Sequence, residues 1–191
     1  MRQDAADNRE AIVTAARTLF VEHGGNVSMR AIAKEAGVGI ATVSRHFPDR
    51  ITLLDAIGAN AVHDIETVIS EHLPLFEETP EKAWSSAIHA IAELKLALLG
   101  QTLFSDFEQI SGIQHIVENR AEEIRTAYAP LITRAKEAGL YPRDLEPLEF
   151  HIALVIASRP LPNSKIINAH ASQVQQELID IFLDGLRARA A

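Results

Sequence analysis

Over most of the chain apolar residues return every three or four positions, the period of helices with one buried face. Asp7 to His23 predicts a first helix. Asp7 and Glu10 have the spacing of a capping box, and Ile12, Ala15, Ala16, Leu19 and Phe20 form one apolar stripe. Gly24-Gly25-Asn26 ends it. Ser28 is placed to cap a short second helix to Ala36 that buries Ile32 and Ala33, and Gly37 to leave it through a left-handed turn. A third short helix, about Ile40 to His46, follows at once. Pro48 breaks it, and Asp49 can cap a long fourth helix to about Glu71, burying Leu53, Leu54, Ile57, Ala61, Ile65 and Val68.

Beyond Pro74 and Pro80 the pattern stays helical. Glu81 to Leu99 is apolar on nearly every side, as expected at the centre of a bundle. A shorter segment near Ser105 to Ile110 precedes Gly112. Gln114 to Ala138 contains Pro130, which should split or kink it, and Gly139 closes it. Pro147 opens a helix to about Ser158, and Arg159 to Asn163 reads as a loop. A last helix, roughly Asn168 to Ala188, carries Val174, Leu178, Ile181, Phe182, Gly185 and Leu186 at helical spacings.

Composition agrees with an all-α chain: among 191 residues, 29 are Ala and only 5% are aromatic. There is no Cys, so disulfides, thiolate metal sites and cysteine nucleophiles fall away together. Met1 to Glu10 shows no signal peptide, and the longest strongly apolar stretch, Ile152 to Ala157, is far short of the ~20 residues of a membrane span. The expectation is a soluble protein of the cytoplasm, with no membrane partner. The formal net charge of −8 first argues against a nucleic-acid partner. Its distribution reverses that. Residues 1–57 hold seven basic and seven acidic groups, so the remaining eleven basic and nineteen acidic groups carry all the excess.

Ser28 to Phe47, SMRAIAKEAGVGIATVSRHF, holds the informative chemistry. Two short helices joined by a tight turn at Gly37 can cross at nearly a right angle, as in a helix-turn-helix. Ile32, Val38, Val43 and Phe47 supply a small core, leaving Gly39, Ile40, Ala41, Thr42, Arg45 and His46 to face a major groove. Ile40, Ala41 and the Thr42 methyl suit thymine methyls. Arg30 can read guanine or grip backbone, while Ser28, Ser44, Arg45 and Arg50 suit phosphates.

From Ala11 to Ile57 the chain resembles the tetracycline-repressor-type (TetR) transcriptional regulators, through AIVTAARTLFVEHG, IAKEAGV, RHFPDR and LLDAI. Beyond Ala61 the likeness is looser, resting on helix count, AKEAGLYPRDLEP and the amphipathic last helix. The resemblance implies a homodimer on a palindromic operator of double-stranded DNA, with repression relieved by a small-molecule inducer. It implies a head, residues 1–57, joined by the long fourth helix to a ligand-binding and dimerisation body, residues 58–191, with about nine helices in all. Two positions depart from the family: Ser44 stands where members usually carry Tyr, and Arg50 where they carry Lys. Arg50 keeps a cation with forked geometry, whereas Ser44 gives up an aromatic phosphate contact.

In the body, Trp84, Ile88, Phe104, Phe107 and Tyr128 could line an inducer pocket, or simply pack a core. Val174, Leu178, Ile181 and Gly185, with Ile152, Val155 and Ile156, could pack within one chain or across a two-fold axis; the two-fold reading is preferred. His89 with Glu93, and His115 with Asn119, are four residues apart, but no dense metal-binding cluster or nucleophile elbow appears. No metal, no cofactor and no enzymatic activity are expected. A constitutive dimeric regulator without inducer, and a helical bundle that has lost DNA binding, are the alternatives.

Overall fold

The computed structural model describes residues 2–23, 27–96, 114–159 and 169–190. Among them lie eight α-helices and no strand: α1 Arg2–His23, α2 Met29–Glu35, α3 Ile40–His46, α4 Arg50–His72, α5 Pro80–Glu93, α6 Gln114–Glu137, α7 Pro147–Ala157 and α8 Ala171–Ala190. The all-α expectation holds. A 3-10 turn, Leu73–Glu77, follows α4. The chain divides into two compact units, one built on Met1–Ala61 and the other on Val62–Ala97 and Glu118–Ala191.

In the first unit α1 packs on α2 and α3, and α2 packs on α3. Ile12, Val13, Ala15, Ala16 and Phe20 of α1 are buried together with Ile32, Ala33, Val43, Phe47, Leu53, Leu54 and Ile57 as a closed apolar core. Helix α1 starts at Arg2, so Asp7 lies inside it and is not its cap. The residues before Asp7 continue the helix with no breaker among them, so the capping-box spacing had no helix end to serve.

The second unit corrects three expectations. Helix α5 ends at Glu93: Leu94 caps it and Lys95 turns left-handed at φ 55. No Gly or Pro marks that end, because a lysine accepts a conformation ordinarily left to glycine, at a cost of about 1–2 kcal/mol. As far as it runs, α5 is one-sided, burying Ala83, Trp84, Ala87, Ile88 and Ile91. Helix α6 is not split by Pro130. That proline sits on the exposed face, where the carbonyl it leaves unpaired meets water, and Tyr128, Leu131 and Ile132 beside it are buried. In the second half of α4 the buried positions are Val62, Ile65 and Ile69, with Ala61 and Val68 only half-buried. The expected segment Ser105 to Ile110 and most of the expected Arg159 to Asn163 loop lie outside the described residues.

Candidate nucleic-acid interface

The turn between α2 and α3 is set by backbone geometry. Ser28, extended at φ −81 and ψ 150, accepts a hydrogen bond at Oγ from the Ala31 N–H at 3.2 Å, satisfying one orphan donor at the start of α2. At the other end Gly37 takes φ +68. Its N–H reaches the Lys34 carbonyl at 3.2 Å, and the Val38 N–H reaches the Ala33 carbonyl at 3.0 Å. This pair of bonds is a Schellman motif. A Cβ on Gly37 would meet nothing within 4 Å, so the positive φ, and not crowding, asks for glycine. Gly39 then opens α3, its carbonyl accepting from Thr42 at 2.8 Å and from Val43 at 3.2 Å.

Val43 and Phe47 anchor α3 with no exposed surface. The side chains between them turn outward: Gly39, Ile40, Ala41, Ser44 and Arg45 are exposed, and Thr42 and His46 are half-buried. Ile40, at 42% exposure, is among the large apolar side chains left open to solvent. On α2 and its cap, Arg30 and Ser28 are exposed as well. The structure therefore brings the sequence-derived residues from Gly39 to His46 onto one short helix. His46 keeps an Nε2 that is buried without a hydrogen-bond partner.

Two groups at the base of this element have further tasks. Asp49 caps α4, its Oδ1 accepting from the Thr52 N–H at 2.8 Å and the Thr52 hydroxyl at 2.7 Å. Those bonds, the backbone one first, hold its carboxyl below the ordinary carboxylate range. Arg50 donates from Nη1 to the Val27 carbonyl at 2.9 Å, and its guanidinium lies 5.1 Å from the Phe20 ring centroid. It thus pins α4 to α1 and to the strap that enters α2.

The second unit holds the residues considered for a pocket. Trp84 and Tyr128 are buried together with two rings that sequence reasoning did not single out for a site, Tyr141 and Phe150, and the half-buried Phe182 stacks on Phe150. Ile88 is buried too; Phe104 and Phe107 lie outside the described residues. Five of the ten aromatic residues of the chain thus share one cluster. Phe150 and Phe182 had a local signal, Phe150 repeating with Leu154 on one face of α7 and Phe182 falling in the apolar spacing of the last helix, whereas Tyr141 had none. Burial pushes both tyrosine hydroxyls well above their ordinary range, so they stay protonated. The Tyr128 hydroxyl lies 3.2 Å from His151 Nδ1, and burial pulls that imidazole down to about 4. Trp84 Nε1 is buried without a partner.

The outer face of this unit carries the other predicted set. Ile152, Ile156, Val174, Leu178 and Ile181 are exposed, Ile156 and Ile181 at 68% each, and Val155 is half-buried. Gly185 is exposed, and a Cβ there would meet nothing. The inner faces of the same helices bury Phe150, Leu154, Ile179, Leu183 and Leu186. His89 Nε2 pairs with Asp180 at 2.8 Å instead of with Glu93 on its own helix. Among the described residues no helix is long and apolar enough to cross a membrane.

Residues 12–57 match the profile of bacterial regulatory proteins of the tetR family, and residues 79–188 that of the C-terminal domain of SbtR-like transcriptional regulators. An HTH-type transcriptional regulator of Staphylococcus aureus (strain USA300) is 50% identical over 54 residues, 28% of this chain. That stretch spans 29% of the relative's own length. A TetR transcriptional regulator from Streptomyces coelicolor aligns over 94% of this chain and 98% of its own, with 25% identity and a TM-score of 0.63. A TetR regulatory protein from Mycobacterium vanbaalenii aligns over 97% and 98%, with 22% identity and the same TM-score. RolR in complex with resorcinol shares the fold over 100% and 96%, with 20% identity and a TM-score of 0.52. With both its N-terminal segment and more than half of its length matched in this way, the chain belongs to the TetR family, and is a helix-turn-helix transcriptional regulator and not an enzyme.

Proposed function

We propose that the chain is a homodimeric repressor that leaves a palindromic operator when a small molecule occupies its body. The observation that carries this reading is the outward face of α3, from Gly39 to His46, on a helix fastened from behind by Val43 and Phe47. A helix held in this way can enter a major groove, with Ile40, Ala41 and Thr42 against base edges and Ser28, Arg30, Ser44 and Arg45 toward phosphates, while Arg50, expected from sequence to join them, braces the start of α4 instead. In this reading residues 1–57 are the DNA-binding head and residues 58–191 the body. The exposed apolar stripe of α7 and α8 supports the dimer: five of the eight exposed large apolar side chains among the described residues lie on it.

The inducer would meet the aromatic cluster. The Trp84 N–H lacks an acceptor there, an unmet bond worth about 1–3 kcal/mol. Tyr128 and Tyr141 are neutral, so those groups suit an uncharged molecule. RolR, of the same fold, holds resorcinol. One observation favours a second reading, a constitutive regulator without inducer: Ile88, Tyr128 and Phe150 are completely closed off from solvent.

Mobility shifts on fragments of the source genome test the repressor. A retained fragment with an inverted repeat is expected, and no retention at low salt would sink the idea. Trp84 is the only tryptophan, so its emission reports on the cluster directly. Titration with a panel of neutral phenols and ketones should change that emission and release the retained fragment; no compound doing both would favour the constitutive reading.

A further inference from the structure

We infer that Arg9, on α1, is an additional contact to the DNA backbone beside the C-terminal end of α3. This inference rests on the DNA-binding reading of α3. In sequence Arg9 stands far outside the helix-turn-helix. In the folded chain its guanidinium carbon lies 5.0 Å from the centroid of the Phe47 ring. Phe47 is buried and directly follows Arg45 and His46, so the stack carries the Arg9 cation to the end of the recognition helix. Arg9 itself is exposed. Stacking occupies the face of a guanidinium and leaves the N–H groups in its plane able to donate.

The other basic groups of the head sharpen the choice. Arg17 is hydrogen-bonded to Asn60, and Arg50 is held by the Val27 carbonyl and the Phe20 ring. Arg45 lies in the last turn of α3 and Arg9 stacks on Phe47, which follows that turn; both are exposed. A recognition helix reads bases mainly through its N-terminal residues, while its C-terminal end comes out against the backbone, as in homeodomains. A cation there meets a phosphate. Arg9 has a plainer role to be weighed against this one: it covers Phe47 and offsets the negative end of the α3 dipole.

Salt separates the two roles, because a phosphate contact releases a counterion and a brace within the fold does not. The test uses the full chain and a labelled generic duplex, with anisotropy read over a series of KCl concentrations. Arg9→Gln should lower the slope of log K against log salt by about 0.9 for each head engaged, hence about 1.8 for the dimer, Arg9→Lys should restore it, and Arg187→Gln, whose arginine pairs with Glu81 in the other unit, should leave it unchanged. An Arg9→Gln slope equal to that of the unsubstituted protein overturns the inference, whatever happens to its thermal midpoint. Phenylglyoxal footprinting of the unsubstituted protein needs no variant: Arg9 should be shielded by duplex at low salt and modified at high salt, and equal modification in both overturns the inference as well. Failure of the unsubstituted protein to bind any duplex would instead remove the DNA-binding reading on which the inference stands.

Discussion

The segment around α2 and α3 and the aromatic cluster of the second unit solve opposite problems. In the first, small aliphatic side chains and one phenylalanine are closed inward so that a short outer face is left free. Its polar bonds sit at helix ends, at Ser28, Gly37 and Asp49, where they set direction more than they add stability. In the second, the largest rings are pooled inside around the His151–Tyr128 pair and an unpartnered indole N–H. Ion pairs such as Arg187 with Glu81 at 2.7 Å link its helices on the outside, each worth about 0–1 kcal/mol. An outward-facing function leaves its mark in a short run of sequence. An inward-facing one is shared among distant residues.

The strongest way to break this contrast is to remove one ring from each region. Phe47→Ala and Phe150→Ala should each cost about 3–5 kcal/mol, since both rings are completely buried. Phe47→Ala should abolish DNA retention in mobility shifts while leaving Trp84 emission near normal; Phe150→Ala should shift that emission strongly. Reversed outcomes would undo the assignment of the two regions.

Acid should single out the second unit. The imidazole of His151 sits at about 4, against an ordinary 6.5, so the unfolded chain binds its proton first as pH falls. Its contribution is therefore complete above about pH 6.5, declines between there and about pH 4, and is flat below; the total is about 3 kcal/mol. Urea unfolding across that window should show the decline, and His151→Gln should lack it. A variant with the same decline would place the proton elsewhere.

The outer stripe predicts a smaller effect. Ile181→Asp puts a charge on each copy where the dimer reading requires contact, and about 2 kcal/mol lost, or some thirtyfold in dissociation constant, should move the protein toward monomer in sedimentation. An unchanged sedimentation profile would take Ile181 off the interface. Smallest is Ser28→Ala, which removes the α2 cap for about 1 kcal/mol. Thermal unfolding should register it, while Ser28→Asp should retain the cap and still weaken DNA binding by charge repulsion if this end faces a phosphate.

Much of the head was legible because its signals are local. Ser28 accepts from a residue three positions on, and Gly37 is chosen by its own φ. The same locality failed at Asp7, where a capping pattern lay inside a helix that began earlier. Beyond α4 the signals turn ambiguous. Nothing in the sequence marks Lys95 as the end of α5, and Pro130 reads as a break until its exposed side of α6 is known. Arg50 and Arg9 show the limit most clearly. As members of a charge list they are alike, but one is held by the Val27 carbonyl and the other is exposed over Phe47.

By itself, then, the sequence determined the helical class, the helix-turn-helix and its outward residues, and the neutral head beside an acidic remainder, since periodicity, caps and charge act over a few neighbouring positions. Only the tertiary structure decided which rings share the buried cluster, which face of α7 and α8 stays open, and which arginine reaches the end of the recognition helix. Those outcomes depend on which distant surfaces meet, because burial, unlike a turn, is a property of the partners and not of the residue.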